Sequence, residues 1–117
     1  MSDISISSIG HDQHGHIRIL KISGSLDAAT YSELEKEAQS VMSGEAIHLI
    51  LDLSDTVYMG SAGLRAFHTL SKQLGEKNGK LVLLQPSDQV ARVLKTLGFD
   101  TYFATHDSLE DAINATG

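Results

Sequence analysis

Isoleucine alternates with polar residues at the start of the chain. Ile4 and Ile6 are in phase, Ile9 is out of phase, and Ile17, Ile19 and Ile22 follow the polar stretch Gly10-His11-Asp12-Gln13-His14-Gly15. A period of two broken by such a stretch predicts two strands joined as a hairpin, with Gly24 ending the second. Tyr31, Leu34, Ala38, Val41 and Met42 then fall at helical spacing and predict a helix packed on one face, capped by Thr30 or Asp27.

The nearly continuous apolar run Ile47-His48-Leu49-Ile50-Leu51 predicts a central strand covered on both faces. Leu64, Phe67, Leu70 and Leu74 mark a second amphipathic helix, ended by Gly75 or the Asn78-Gly79 turn, and Leu81-Val82-Leu83-Leu84 repeats the buried-strand pattern. Pro86-Ser87 opens a third helix whose inner stripe is Val90, Val93, Leu94 and Leu97, with Gly98 as the stop. Tyr102-Phe103-Ala104 reads as a short last strand. Ser108 with Asp111 resembles a capping arrangement for a terminal helix through Leu109, Ala112 and Ile113.

The predicted order is therefore ββαβαβαβα. It implies an α/β fold in a single domain over residues 1–117, with a mixed, mostly parallel sheet of about five strands and about four helices. In such sheets function gathers at the carboxyl ends of strands, where the next helix begins.

Composition narrows the range of partners. A chain of 117 residues buries one core, and with 5% aromatics and no Trp that core is aliphatic. The net charge of −6 argues against nucleic acid and anionic lipid, which need clustered Lys and Arg. The absence of cysteine excludes disulfides and thiolate metal sites and suits the cytosol. No apolar run approaches the roughly 18 residues of a membrane span, and Met1-Ser2-Asp3-Ile4-Ser5 has no signal-peptide character, so a soluble, cytoplasmic protein is expected.

The stretch Met59-Gly60-Ser61-Ala62-Gly63 follows a predicted strand and opens a predicted helix. It comes within one residue of the G-x-S-x-G nucleophile elbow, and Asp88 or Asp100 with His106 supplies the Ser, acid, His order of a small serine hydrolase. Met59 stands where the first glycine belongs, and the chain is short for that fold. A phosphate-binding loop would need a lysine that neither Gly60 nor Gly63 precedes. On local residues alone, a turn capped by Gly60 and Ser61 is the better reading.

Elsewhere, His11, His14 and His16 could gather around zinc or nickel, but only Asp12 accompanies them, so a solvated polar loop is expected and no metal site is assigned. His48, His68 and His106 are scattered and read as surface or packing residues. Asp52 reads as a turn-former, and Glu33, Glu35, Lys36 and Glu37 as the solvated side of the first helix.

Longer segments decide what these five residues cannot. Gly24-Ser25-Leu26-Asp27-Ala28-Ala29-Thr30, the stretch from Leu51 to Leu64, the stretch from Val90 to Phe99, and Asp107-Ser108-Leu109-Glu110-Asp111-Ala112 occur in that order. Together they resemble the STAS family of bacterial anti-sigma factor antagonists over nearly the whole chain. The resemblance implies a phosphorylation-controlled partner switch that is not an enzyme and carries no cofactor. Ser61 matches the serine phosphorylated by a GHKL-type kinase that doubles as the anti-sigma factor. The unphosphorylated form binds that kinase and frees a sigma factor, phosphorylation breaks the complex, and a PP2C-type phosphatase resets it.

The same resemblance implies a partner-binding surface of Ser25, Asp27, Met59, Gly60, Ser61, Ala62, Gly63, Leu64 and Arg65 on a monomer or weak dimer. An alternative within the family is a module controlling a non-sigma regulator or a transport complex. Two local points bear on the switch. Gly60 occupies the position of the aspartate in the family's D-S-x-G-L motif, and Arg65 lies four residues after Ser61, where it is either a phosphate partner or a solvated arginine.

Overall fold

The computed structural model describes residues 4–10, 16–44 and 46–116. The elements run β1 (Ile4–Gly10), β2 (Ile17–Leu26), α1 (Tyr31–Met42), β3 (His48–Asp52), β4 (Thr56–Met59), α2 (Ser61–Gly75), β5 (Leu81–Leu84), α3 (Asp88–Thr96), β6 (Ala104–His106) and α4 (Leu109–Thr116). The main sheet order is β1-β2-β3-β5-β6, with β4 beside the end of β2. Among the described residues, only the β1–β2 pair is antiparallel. The predicted mixed, mostly parallel sheet is therefore present.

β3 lies mid-sheet, and its residues Leu49, Ile50 and Leu51 are fully buried, which explains their continuous apolar run. On one face, Leu20, Ile22, Leu49, Leu51 and Leu83 meet Leu34 of α1, Phe67 and Leu70 of α2, and Val90 and Leu94 of α3. On the other, Ile17, Ile19, Ile50, Val82 and Leu84 pack against Ala112 of α4. The core is aliphatic, as the composition implies, with Phe67 edge-on to Phe103 at 6.0 Å.

Several local expectations are revised. β2 does not stop at Gly24. That residue adopts φ +105° and the register shifts between Gly24 and Ser25, so the strand bends and changes partner from β3 to β4. β4 itself adds a strand to the predicted order. Its buried Thr56 donates its hydroxyl to the Ile22 carbonyl at 2.8 Å, satisfying both groups inside the core.

Neither Thr30 nor Asp27 caps α1 through its side chain. Thr30 holds the N-cap position, but its hydroxyl donates to the Ser25 carbonyl at 2.7 Å. Asp27 instead builds the turn: Oδ1 accepts from the Ala29 N–H at 2.9 Å, and its carbonyl accepts from the Tyr31 N–H at 2.9 Å. Ser87 and Ser108 do cap, accepting from the N–H groups of Val90 and Asp111.

The last strand begins at Ala104, two residues later than expected. Tyr102 remains exposed at 54% while Phe103 turns inward. Leu97 leaves the core stripe because the helix has already ended there (φ −92°, ψ 4°); it is 51% exposed, and Phe99 packs against the core in its place. The Asn78-Gly79 turn after α2 admits no larger residue at Gly79, whose added Cβ would lie 1.7 Å from the Ile47 carbonyl oxygen.

Candidate functional site at the start of α2

β2 and β4 run side by side with Leu26 opposite Met59, and the Gly60 N–H donates to the Leu26 carbonyl at 3.0 Å. This pairing brings the Asp27 turn next to the Gly60-Ser61 corner. The juxtaposition of the 24–30 and 51–64 segments is thus a consequence of strand register.

Gly60, rather than Ser61, is the N-cap. Its extended backbone (φ −101°, ψ −175°) presents the carbonyl to the N–H groups of Gly63 at 3.0 Å and Leu64 at 3.4 Å. Ser61 is the first helical residue and is exposed, and among the described residues its hydroxyl has no hydrogen-bond partner. Behind it, Met59, Ala62, Gly63 and Leu64 are buried. A Cβ on Gly63 would lie 2.8 Å from Met59 Cγ and 3.0 Å from Leu26 Cδ2, so a side chain there would collide with packed neighbours. Ser61 therefore stands on a rigid, close-packed platform.

Of the nine residues that the sequence marks as partner-facing, Ser61 and Arg65 are exposed, and Ser25, Asp27 and Gly60 are half-buried. The other four form the support beneath them. The carboxylate missing at Gly60 is not excluded by space. The atoms nearest an added Cβ belong to Tyr58, the closest being its hydroxyl oxygen at 3.4 Å, and the backbone conformation suits any residue. Tyr58 and Gly60 share one side of the β4 extension, so the half-exposed phenol covers the bare glycine.

Two features beyond the predicted residues complete the site. Gln89 of α3 accepts the Met59 N–H at 2.8 Å and so holds the end of β4. This long-range contact has no local sequence signal. An apolar groove of about 490 Å³ also opens beside Ser61, between Leu64 on α2 and the trio Leu97, Phe99 and Tyr102. Arg65 and His68 stand on its α2 side, and His68 Nδ1 lies 3.1 Å from the Tyr102 hydroxyl.

The hydrolase arrangement does not assemble. His106 ends β6, which is separated from β2 by β3 and β5, whereas β4 and Ser61 lie beside β2. The histidine sharing Ser61's groove is His68, and no hydrogen bond between them is formed among the described residues. No metal-binding cluster occurs among the described residues; His11 and His14 of the three-histidine loop lie outside them. Asp52 forms the expected turn, accepting from the Ser54 N–H at 3.0 Å and the Ser54 hydroxyl at 2.7 Å.

Electrostatic perturbations lie away from Ser61. His48 is held below its ordinary imidazole value by burial first, then by Lys80 and His16. Lys21, paired with Asp55 at 3.1 Å, is raised by that hydrogen bond and charge and by nearby Asp52. No helix among the described residues is long and apolar enough to cross a membrane.

The STAS domain family model matches residues 9–112. The chain belongs to the STAS domain family. The anti-sigma-F factor antagonist RsfB of Mycobacterium tuberculosis is 27% identical over 100 residues, spanning 86% of this chain and 81% of its own. The crystal structure of an anti-sigma factor antagonist from Mycobacterium paratuberculosis superposes with a TM-score of 0.83 at 25% identity, over 97% of this chain and 93% of that one. The Bacillus cell-fate determinant SpoIIAA in its phosphorylated form shares the fold, with a TM-score of 0.70 at 17% identity over 95% of this chain and 98% of that one. The exposed serine on its buried platform thus belongs to a STAS fold.

Proposed function

We propose that this STAS domain is an anti-sigma factor antagonist acting as a phosphorylation-controlled partner switch, with Ser61 as the acceptor. One observation carries the reading: Ser61 is exposed at the first position of α2, while Met59, Ala62, Gly63 and Leu64 around it are buried. A kinase can reach such a hydroxyl without unfolding anything, and a partner can pack closely over it. The names of the mycobacterial relatives support the antagonist role, and the phosphorylated form of SpoIIAA supports covalent control within this fold.

The physical logic of the switch follows from charge. A phosphoserine adds about −1.5 to −2 charges and three acceptor oxygens. At a helix N-terminus the fold itself tolerates that charge, because the helix dipole and the first N–H groups favour an anion. A partner packed over Ser61 must instead desolvate the phosphate, which weakens binding by on the order of 2–5 kcal/mol when the charge is buried unpaired.

In this reading the unphosphorylated chain binds a GHKL-type serine kinase that is also the anti-sigma factor. A PP2C-type phosphatase restores the binding form. The domain is a substrate and a switch in the cytoplasm, not an enzyme. Incubation with ATP and each GHKL-type kinase encoded in the same genome, followed by intact-mass and peptide mapping, tests the assignment. A single phosphate on Ser61 is expected; modification at another residue, or of no residue by any such kinase, would defeat it.

A further inference from the structure

Arg65 stands on a ridge between two hollows. On one side it shares the apolar groove with Ser61, one helical turn before it. On the other it borders a hollow of about 230 Å³ with Glu35 and Tyr31 of α1. The residue is exposed, and among the described residues its guanidinium forms no ion pair.

The other ionisable groups nearby are differently placed or already engaged. His68, one turn further along α2, contacts the Tyr102 hydroxyl. Asp27 has Oδ1 occupied by the Ala29 N–H at 2.9 Å. Of the groove's described lining residues, Arg65 alone carries a permanent positive charge.

We propose that Arg65 is the intramolecular counter-ion of a phosphate on Ser61, folding back toward it along the α2 wall of the apolar groove. The proposal rests on Ser61 being the acceptor and adds what the phosphate does once attached. Residues four apart on a helix have Cβ atoms about 5–6 Å from each other, within reach of a folded-back arginine. The planar guanidinium presents paired donors that match phosphate oxygens. A phosphate of about −2 charge also outcompetes the single charge of Glu35 for the same cation.

Modification would then alter both hollows at once. The groove gains an ion pair along its α2 wall, and the hollow beside Glu35 loses the Arg65 side chain from its lining. A partner that docks over this ridge meets a changed surface even where it does not touch the phosphate.

The test needs no kinase. Phosphoserine is placed at position 61 of the full chain by genetic encoding, and the phosphate is titrated by phosphorus-31 NMR. The same titration is run with Arg65→Gln, with Glu35→Gln, and with Arg92→Gln as an exposed cation on α3. Circular dichroism verifies that each variant is folded.

Arg65→Gln is expected to raise the phosphate midpoint by roughly half a unit, about threefold in the acid constant. Arg92→Gln should leave the midpoint in place, and Glu35→Gln should hold or lower it. An unchanged midpoint in Arg65→Gln would overturn the proposal, as would an equal rise in Arg92→Gln. Because the phosphate is installed synthetically, this result is independent of whether a kinase recognises Ser61.

Discussion

The Gly60 N–H meets the Leu26 carbonyl at 3.0 Å, and this bond joins the two loops that carry the family motifs. It places the Asp27 turn beside Ser61 through backbone register, so side-chain changes at either loop leave the juxtaposition intact. The platform beneath Ser61 is therefore a property of strand pairing and close packing, and it can be tested separately from the chemistry on top.

Gly63 is the tightest point of that platform. Its added Cβ would press on Met59 and Leu26, both buried, so Gly63→Ala is expected to destabilise the fold by about 1–3 kcal/mol through overpacking. Urea denaturation followed by circular dichroism measures it. No loss of stability would mean that α2 can shift away from β2 at no cost.

Gly60→Asp should behave oppositely. The backbone is ordinary there, the nearest neighbour of an added Cβ is the Tyr58 side chain at 3.4 Å, and an acidic N-cap favours the helix. Stability is expected to hold or to rise by a few tenths to about 1 kcal/mol in thermal melts. A clear loss would show that the Tyr58 ring cannot yield.

Leu97 offers a check on the groove. It is about half exposed and lies past the end of α3, so Leu97→Ser is expected to change folding stability by no more than about 0.5 kcal/mol. Leu94→Ser, three residues earlier and buried, should cost several kcal/mol in the same urea assay, on the order of 2–5. Equal costs would place Leu97 in the core.

His48 gives the stability a defined pH dependence. Its Nδ1 accepts the Lys80 N–H at 3.0 Å, and burial, Lys80 and His16 together lower its pKa from the ordinary 6.5. Folding therefore favours the neutral ring. This contribution is complete above about pH 6.5 and is lost as pH falls from there through the lower folded value. Between pH 7.5 and pH 5 the melting temperature should drop more for the parent than for His48→Gln; equal drops would contradict it.

Most of the fold was legible in hydrophobic period, for a physical reason. Leu49 to Leu51 and Leu81 to Leu84 are buried, and the stripe Leu64, Phe67, Leu70 and Leu74 of α2 is buried as well, so burial and pattern coincide. β4 was hidden because it is four residues long and exposes Val57 and Tyr58 between its buried ends. Leu97 misled because helical spacing continues in the sequence after the helix has ended in space. Ser61 was marked by its flanking motifs, whereas the Gln89 contact and the groove arise from residues far apart in the chain.

The central claim is that charge on Ser61 controls partner binding while the domain stays folded. Its most direct test is the affinity of the unmodified chain and of the chain carrying encoded phosphoserine at 61, each measured by calorimetry against the kinase that modifies Ser61. Unchanged thermal unfolding and at least about 30-fold weaker binding of the phosphorylated form, equivalent to about 2 kcal/mol, are expected. Equal affinity of the two forms for that kinase would contradict it.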